Sequence, residues 1–288
     1  MTTFNVASIS SSAVLCSLNI SVWTGRKLDK QVSAEIDADK NTSVRAGNYH
    51  KNLMAGVKEL EDVGKYAAEA RNWFTYQTLP WGNEGTKIVP TAALFDFKAE
   101  LGERERVFWS LVDDFERVYN TSIQAAQFKL GSLFNYNEYP DVAELRTKFG
   151  FRYVFSPVPE AGDFRVDIGQ EGLSELREQF DVAKQDAIAG AMLDVWSRVR
   201  EVTERLSRQL RVEKDTKGKL YQSTLDGALE LCHMLKSMNL TGDPELERVR
   251  KDLFNTINGV DLKDLKKDDG ARIAVKQELD ALLSKFAI

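Results

Sequence analysis

The sequence predicts a mostly α-helical protein: an elongated antiparallel bundle of long helices with a small β-sheet, formed by a hairpin and an N-terminal strand. Three observations predict it. Three long segments repeat apolar residues every three or four positions, the signature of an amphipathic helix. Short stretches between them alternate apolar and polar residues as half-buried strands do. A long helix with one apolar stripe cannot bury it alone, so the segments must pack along one another.

In chain order, Leu18, Ile20 and Val22 alternate with polar residues and predict a strand that Gly25 ends. Leu28, Val32 and Ile36 step by four into a short helix, and Asp37 to Ser43 reads as a loop. The first long helix runs from about Leu53 to Thr78, with Val57, Leu60, Val63, Ala67, Ala70 and Phe74 as its stripe. Leu79-Pro80-Trp81-Gly82 stops it. A turn-rich connector carrying the short apolar piece Ile88-Val89 follows.

The second long helix spans roughly Thr91 to Phe134, with Phe108, Leu111, Phe115 and Val118, then Tyr119, Ile123, Ala126, Leu130 and Leu133. Pro140-Asp141 opens a short helix. Phe151, Tyr153 and Phe155, then Phe164, Val166 and Ile168, predict a β-hairpin that is marginal alone, with the Leu18–Val22 strand as third member. The third long helix begins near Gln170 and carries Leu173, Leu176, Phe180, Ala183, Ala187, Ala191, Val195, Val199, Val202, Leu206 and Leu210. Asp215 to Gly218 reads as a hinge, and three shorter helical patterns follow it. Residues 1–214 are thus expected to form the bundle. Residues 215–288 form either a small C-terminal subdomain or a segment folded back on it.

Composition narrows the function. With 43% hydrophobic and 29% charged residues the chain is globular, and a net charge of −5 gives no global attraction to nucleic acid or anionic membrane. No apolar run is long enough for a membrane span. Met1 to Ser12 lacks the basic and apolar regions of a secretory leader, so a cytoplasmic protein is expected. Cys16 and Cys232 sit in apolar surroundings and read as buried free thiols.

No motif carries chemistry. There is no His-Glu-x-x-His, paired Cys-x-x-Cys, glycine-rich phosphate loop or nucleophile elbow. Asp37, Asp39 and Asn41 imitate the start of a calcium loop, but Thr42 and Asn48 stand where glycine and glutamate are needed. Cys232-His233 reads as a core pair, His50 as a solvated loop histidine, and Asp113-Asp114 and Asp268-Asp269 as solvated faces. Neither catalysis nor a cofactor nor a metal is expected.

Charge on the third long helix is polarised. Residues 160–186 carry a local charge of −5 and residues 198–219 one of +4. The helix dipole favours this order, and Glu201 with Arg205 and Glu204 with Arg208 have the spacing of intrahelical ion pairs. The basic end makes Arg205, Arg208, Arg211, Lys214, Lys217 and Lys219 candidate nucleic-acid contacts. Aromatic residues instead gather in the connectors. From these, Trp73, Tyr76, Trp81, Trp109, Tyr136, Tyr139 and Tyr153 are the candidate partner surface, because Tyr and Trp are favoured interface anchors.

The segments Leu79 to Gly85 through Ile88-Val89-Pro90-Thr91, Tyr139-Pro140 through Leu145-Arg146, and Phe155 through Val158 to Val166 resemble an uncharacterised family encoded by bacteriophages and integrative mobile elements. The likeness covers roughly residues 15–215, and Thr86-Lys87 departs from it. It implies a phage or mobile-element setting and genes found near AAA+ ATPases of the MoxR type. It transfers no catalytic residue. The expectation is a non-enzymatic scaffold or adaptor that binds a protein partner, such as a MoxR-like ATPase, and self-assembles. The alternative is a nucleic-acid-binding accessory factor in replication or recombination.

Overall fold

A computed structural model describes residues 9–82, 85–160, 169–212 and 218–286, and the side chains of the third long helix from residue 172 onward. The protein is mostly helical with a small antiparallel sheet. It divides into two compact units. The first comprises Met1–Ser17, Thr75–Asp96 and Val154–Ile288, the second Leu18–Phe74 and Phe97–Tyr153.

The chain opens with a single helical turn, α1 (Ile9–Ser12), then strand β1 (Ala13–Ser21). A short antiparallel pair follows, β2 (Arg26–Leu28) with β3 (His50–Asn52), around helix α2 (Lys30–Asp39). Gly25 enters this pair at φ +62°, and a side chain there would press on Leu60 and Met54 at 3.3 and 3.4 Å. Only glycine satisfies both conditions. Asp29 caps α2 by accepting from Val32 N–H at 3.1 Å. The face of α2 that is buried centres on Ser33, whose hydroxyl donates to Asp29 O and accepts from Tyr49 N–H. Ile36, expected on the apolar face, is 46% exposed.

Helix α3 (Lys58–Gln77) buries Leu60, Val63, Ala67, Ala70 and Phe74, as its period requires. Strands β4 (Leu79–Pro80) and β5 (Thr86–Pro90) then form a hairpin, where the sequence suggested only a connector. β5 pairs antiparallel with β1, from Ala13 opposite Pro90 to Ser17 opposite Thr86. With β6 (Gly150–Pro157) beyond β1, the sheet order is β4-β5-β1-β6. Among the described residues the sheet is therefore four-stranded, with the Ile88-Val89 piece paired beside β1. The expected second arm of the other hairpin, Phe164 to Ile168, lies outside the described residues.

Helix α4 (Leu94–Leu130) buries Phe97, Leu101, Phe108, Val112, Phe115, Tyr119, Ile123 and Ala126. Val112 therefore takes the core place expected of Leu111. In the second unit Phe97 stacks on Trp73 at 5.1 Å, and Phe115 and Phe108 meet Phe149 and Phe151 edge-on or tilted. Asp141 precedes the one-turn helix α5 (Val142–Leu145). A buried ion cluster ties this unit together. The Lys51 ammonium, 5% exposed, reaches Asp29 at 3.1 Å and Glu138 at 2.8 Å, and donates to Leu133 O at 2.9 Å.

Helix α6 (Gly169–Gln209) has its first core residue at Ile188. Before it, Leu173, Leu176 and Phe180 are half-buried and Ala183 is exposed, so the expected continuous stripe is sealed only along the second half. There α6 packs against α7 (Gln222–Met238), α10 (Asp269–Leu283) and β4. α7 and α10 in turn hold α8 (Pro244–Ile257), and α9 (Leu262–Lys267) leads into α10. The division into units thus does not fall at residues 214/215: the C-terminal helices share one core with α6.

Two arginines finish helix ends in the first unit, Arg198 half-buried and Arg272 buried. Arg198 donates to the carbonyls of Tyr76 at 2.6 Å, Thr78 at 2.7 Å and Thr75 at 3.2 Å, while pairing with Asp194 at 2.7 Å. These carbonyls end α3 and have no intrahelical donor. Arg198→Ala is expected to cost about 1–3 kcal/mol, as for hydrogen bonds from a charged donor. Urea denaturation checks it, and an unchanged midpoint would contradict the capping role. Arg272, 3% exposed, does the same for α6.

Candidate functional site

The seven aromatic residues expected on a partner surface divide between the two units. In the first, Tyr76 is 36% exposed, and Trp81 is half-buried against the core. Burial raises the Tyr76 phenol's pKa, with Arg198 and Arg205 acting in the opposite direction. In the second, Trp73 is committed to Phe97 and to the Arg104 guanidinium 4.6 Å from its ring. Trp109 likewise packs edge-on against Phe108 and lies 5.0 Å from the Arg146 guanidinium. Tyr153 meets Phe151 at 6.5 Å, and Tyr136 is 66% exposed in a 3-10 turn. Tyr139 is buried, and its hydroxyl donates to Leu53 O at 3.0 Å. Tyr139 is thus a core residue, because a phenol set among apolar groups must find an internal acceptor.

Of the candidate nucleic-acid contacts, Arg205, Arg208, Arg211 and Lys219 are exposed, while Lys214 and Lys217 lie outside the described residues. Glu204 receives Arg200 at 2.8 Å, and Glu201 accepts from Ser197 at 3.2 Å. The remaining titratable candidates serve structure. Arg146 bridges Asp113 at 2.7 Å and Glu116 at 2.8 Å, whereas Asp114 pairs with Arg117. Asp268 caps α10. His50 is exposed within β3, and His233 is exposed edge-on to Phe254. His233 thus leaves the core that Cys232 enters, since consecutive helix residues point about 100° apart. Burial pushes the Cys16 thiol up to about 12 and the Cys232 thiol up to about 11, so neither is a ready nucleophile. Asp37 holds its own loop, accepting from Ala46 N–H and pairing with Arg45. Among the described residues no three His, Cys, Asp or Glu side chains converge to hold a metal, and no helix is long and apolar enough to cross a membrane.

A concave site lies in the first unit, between α6, α8 and the turn after α10. It has a volume of 470 Å³, within the usual range of ligand and anchor pockets. Leu193, Trp196, Val249 and Phe286 make its apolar wall, with Trp196 and Phe286 meeting edge-on at 5.5 Å and 75°. Arg200, Lys285 and Glu245 stand around it, and Ser197 completes the α6 side. The α8 wall is fixed by the start of that helix. Asp243 accepts from Glu245 N–H at 2.9 Å, Pro244 takes the first turn, and Asn239 exchanges two hydrogen bonds of 2.8 Å with the Asp243 backbone.

Leu193 is 70% exposed and forms the open lip of the cleft. It lies off the Ala191–Val195–Val199 stripe that faces the core, and that displacement was visible in the sequence. A second, smaller cleft of 310 Å³ lies in the second unit between α2 and the loop to Tyr49, lined by Ser33, Ile36 and Tyr49. No protein-family model, curated protein or solved structure matches the chain.

Proposed function

We propose that the chain is a non-enzymatic scaffold or adaptor whose α6–α8 cleft docks a protein partner. The observation that carries this reading is the cleft itself. It offers one large apolar wall with an exposed leucine, a half-buried tryptophan and a charged margin, the composition of an anchor pocket within a polar rim. Its charged groups are held in pairs, Arg200 with Glu204, Lys285 with Asp252 and Glu245 with Arg248. That arrangement suits recognition better than proton transfer, which needs groups in contrasting environments facing one substrate.

The phage or mobile-element setting implied by the family resemblance belongs to the same proposal, and a MoxR-type AAA+ ATPase is the first partner to test. So does the antiparallel bundle, for which the side-by-side packing of α6, α7, α8 and α10 is the support. The test is affinity capture by the full chain and by Leu193→Asp, with purified MoxR-type ATPase and with host extract. The expected result is a stoichiometric protein partner whose retention falls at least about tenfold in the variant, since burying an unpaired carboxylate in the cleft costs more than 1.4 kcal/mol. Equal retention by both forms would overturn the cleft as docking site. Retention of nucleic acid instead, lost on neutralising Arg205, Arg208 and Arg211, would favour the accessory-factor reading.

A further inference from the structure

The exposed face of α6 extends from the cleft toward the start of the helix. At 100° per residue, Glu178, Val182, Gln185, Ala189, Leu193, Trp196 and Arg200 all fall within an arc of roughly 80°. Glu178, Gln185 and Ala189 are exposed, Val182 and Leu193 are 55% and 70% exposed, and the Arg200 side chain is 60% exposed. The stripe ends beyond Arg200, where Thr203 is fully buried. Val182 and Leu193 are thus two large apolar side chains open to water on the helix face that leads into the cleft.

The order of residues along this stripe is antisymmetric about Ala189. Glu178 and Arg200 lie eleven positions to either side of it, and Val182 and Trp196 lie seven. A twofold axis through Ala189, relating two copies with antiparallel α6 helices, therefore sets acid against base and valine against tryptophan. Each of those contacts occurs twice, as an isologous interface requires. The same operation brings Gln185 opposite Leu193. Lys285 lines the same cleft as Arg200 and is a second cation there, paired with Asp252. At the axis stands Ala189, an exposed small side chain, so the two helices can approach closely there.

We propose that the occupant of the cleft is a second copy of this chain, docked antiparallel along α6 with Val182 of each copy against Trp196 and Phe286 of the other. This rests on the reading of the cleft as a docking site and names its partner. The long-range charge agrees with the local pattern. Among the described side chains from Glu175 to Asp186 acids outnumber bases, and from Arg198 to Arg211 bases outnumber acids. An antiparallel pair matches opposite ends, whereas a parallel pair would set like charge against like.

The experiment is sedimentation equilibrium of the purified full chain, alone and with Glu178→Arg, Arg200→Glu and the double exchange, each checked for helicity by circular dichroism. A dimer is expected whose dissociation constant rises about tenfold in either single variant, because each change creates two like-charge contacts by symmetry. The double exchange is expected to return it to within about threefold of the parent, and about 0.5 M salt to weaken the parent and the double exchange alike. A chain that stays monomeric at about 100 µM, or a dimer indifferent to both single variants, would overturn the proposal. Because this measurement uses only the purified chain, its failure leaves capture of a different protein partner by the same cleft intact. Loss of that capture in Leu193→Asp reports on the cleft separately.

Discussion

Replacing Lys51 with methionine is expected to cost about 3–5 kcal/mol of folding stability, the penalty for removing one partner from a buried ion cluster. Methionine fills the same channel, so the loss is electrostatic. Without the ammonium, Asp29 and Glu138 are left with two carboxylates and no cation between them, and Leu133 O loses its donor. The effect also has a defined pH window. Val32 N–H and then Lys51 hold the Asp29 carboxyl below its ordinary value of 3.8. Burial alone would lower the Lys51 pKa, but its bonds to Glu138 and Asp29 outweigh burial and raise it above 10.5.

The Asp29 contribution is therefore complete above its unfolded value and is lost as pH falls through the depressed folded one. The Lys51 contribution is complete below its unfolded value and is lost as pH rises through the raised folded one. The gap between wild type and Lys51→Met should be widest across neutral pH and narrow at both extremes. Urea denaturation at pH 3, 7 and 11, ordinary test conditions on either side of these carboxyl and ammonium ranges, measures it. A gap that does not change with pH would refute the electrostatic account.

The second large effect is expected at Arg272. Its guanidinium donates to Gln209 O at 2.7 Å and Gly218 O at 2.8 Å, and lies 3.5 Å from Leu210 O. One side chain from the first turn of α10 thereby closes the end of α6 and holds the chain at Gly218 against it. A side chain added at Gly218 would come within 2.4 Å of Gln209 O, so the carbonyls crowd that point. Arg272→Ala takes this donor from the Gln209, Leu210 and Gly218 carbonyls and removes a cation from the negative end of the helix dipole, at a cost of about 3 kcal/mol. Arg272→Lys should recover only part, since an ammonium cannot span acceptors as a planar fork does. Thermal unfolding of the three proteins decides it. A lysine variant equal to wild type would show that charge alone suffices.

Much of the helical framework was legible. The α3 stripe from Leu60 to Phe74 is buried residue for residue, because each apolar position recurs at helical spacing and nothing competes for that face. The start of α8 was equally plain, since Asp243-Pro244 encodes a cap chemically. β5 was hidden because Ile88-Val89 is too short a run to show a period, and its partner β1 lies far away in sequence. The first half of α6 has the pattern of a buried stripe. Its apolar core begins only at Ile188, and coverage depends on where other elements reach, which periodicity does not record.

The candidate site was less legible still. The aromatic residues singled out from the connectors were chosen by type. Trp73 and Trp109 are committed to neighbouring rings and arginines, and Tyr139 is in the core. The cleft draws instead on Leu193 and Trp196, Val249, and Phe286, which belong to three separate elements. Leu193 went unmarked in the sequence reading, where its position off the Ala191–Val195–Val199 stripe was the one available signal.

Docking of a protein on this face of α6 can be read by hydroxyl-radical footprinting of the chain free and in its assembled state. Leu193, Trp196 and Phe286 are expected to lose reactivity on assembly while exposed Tyr136 and Phe128 keep theirs. Unchanged reactivity at Leu193 and Trp196, with protection elsewhere, would contradict it.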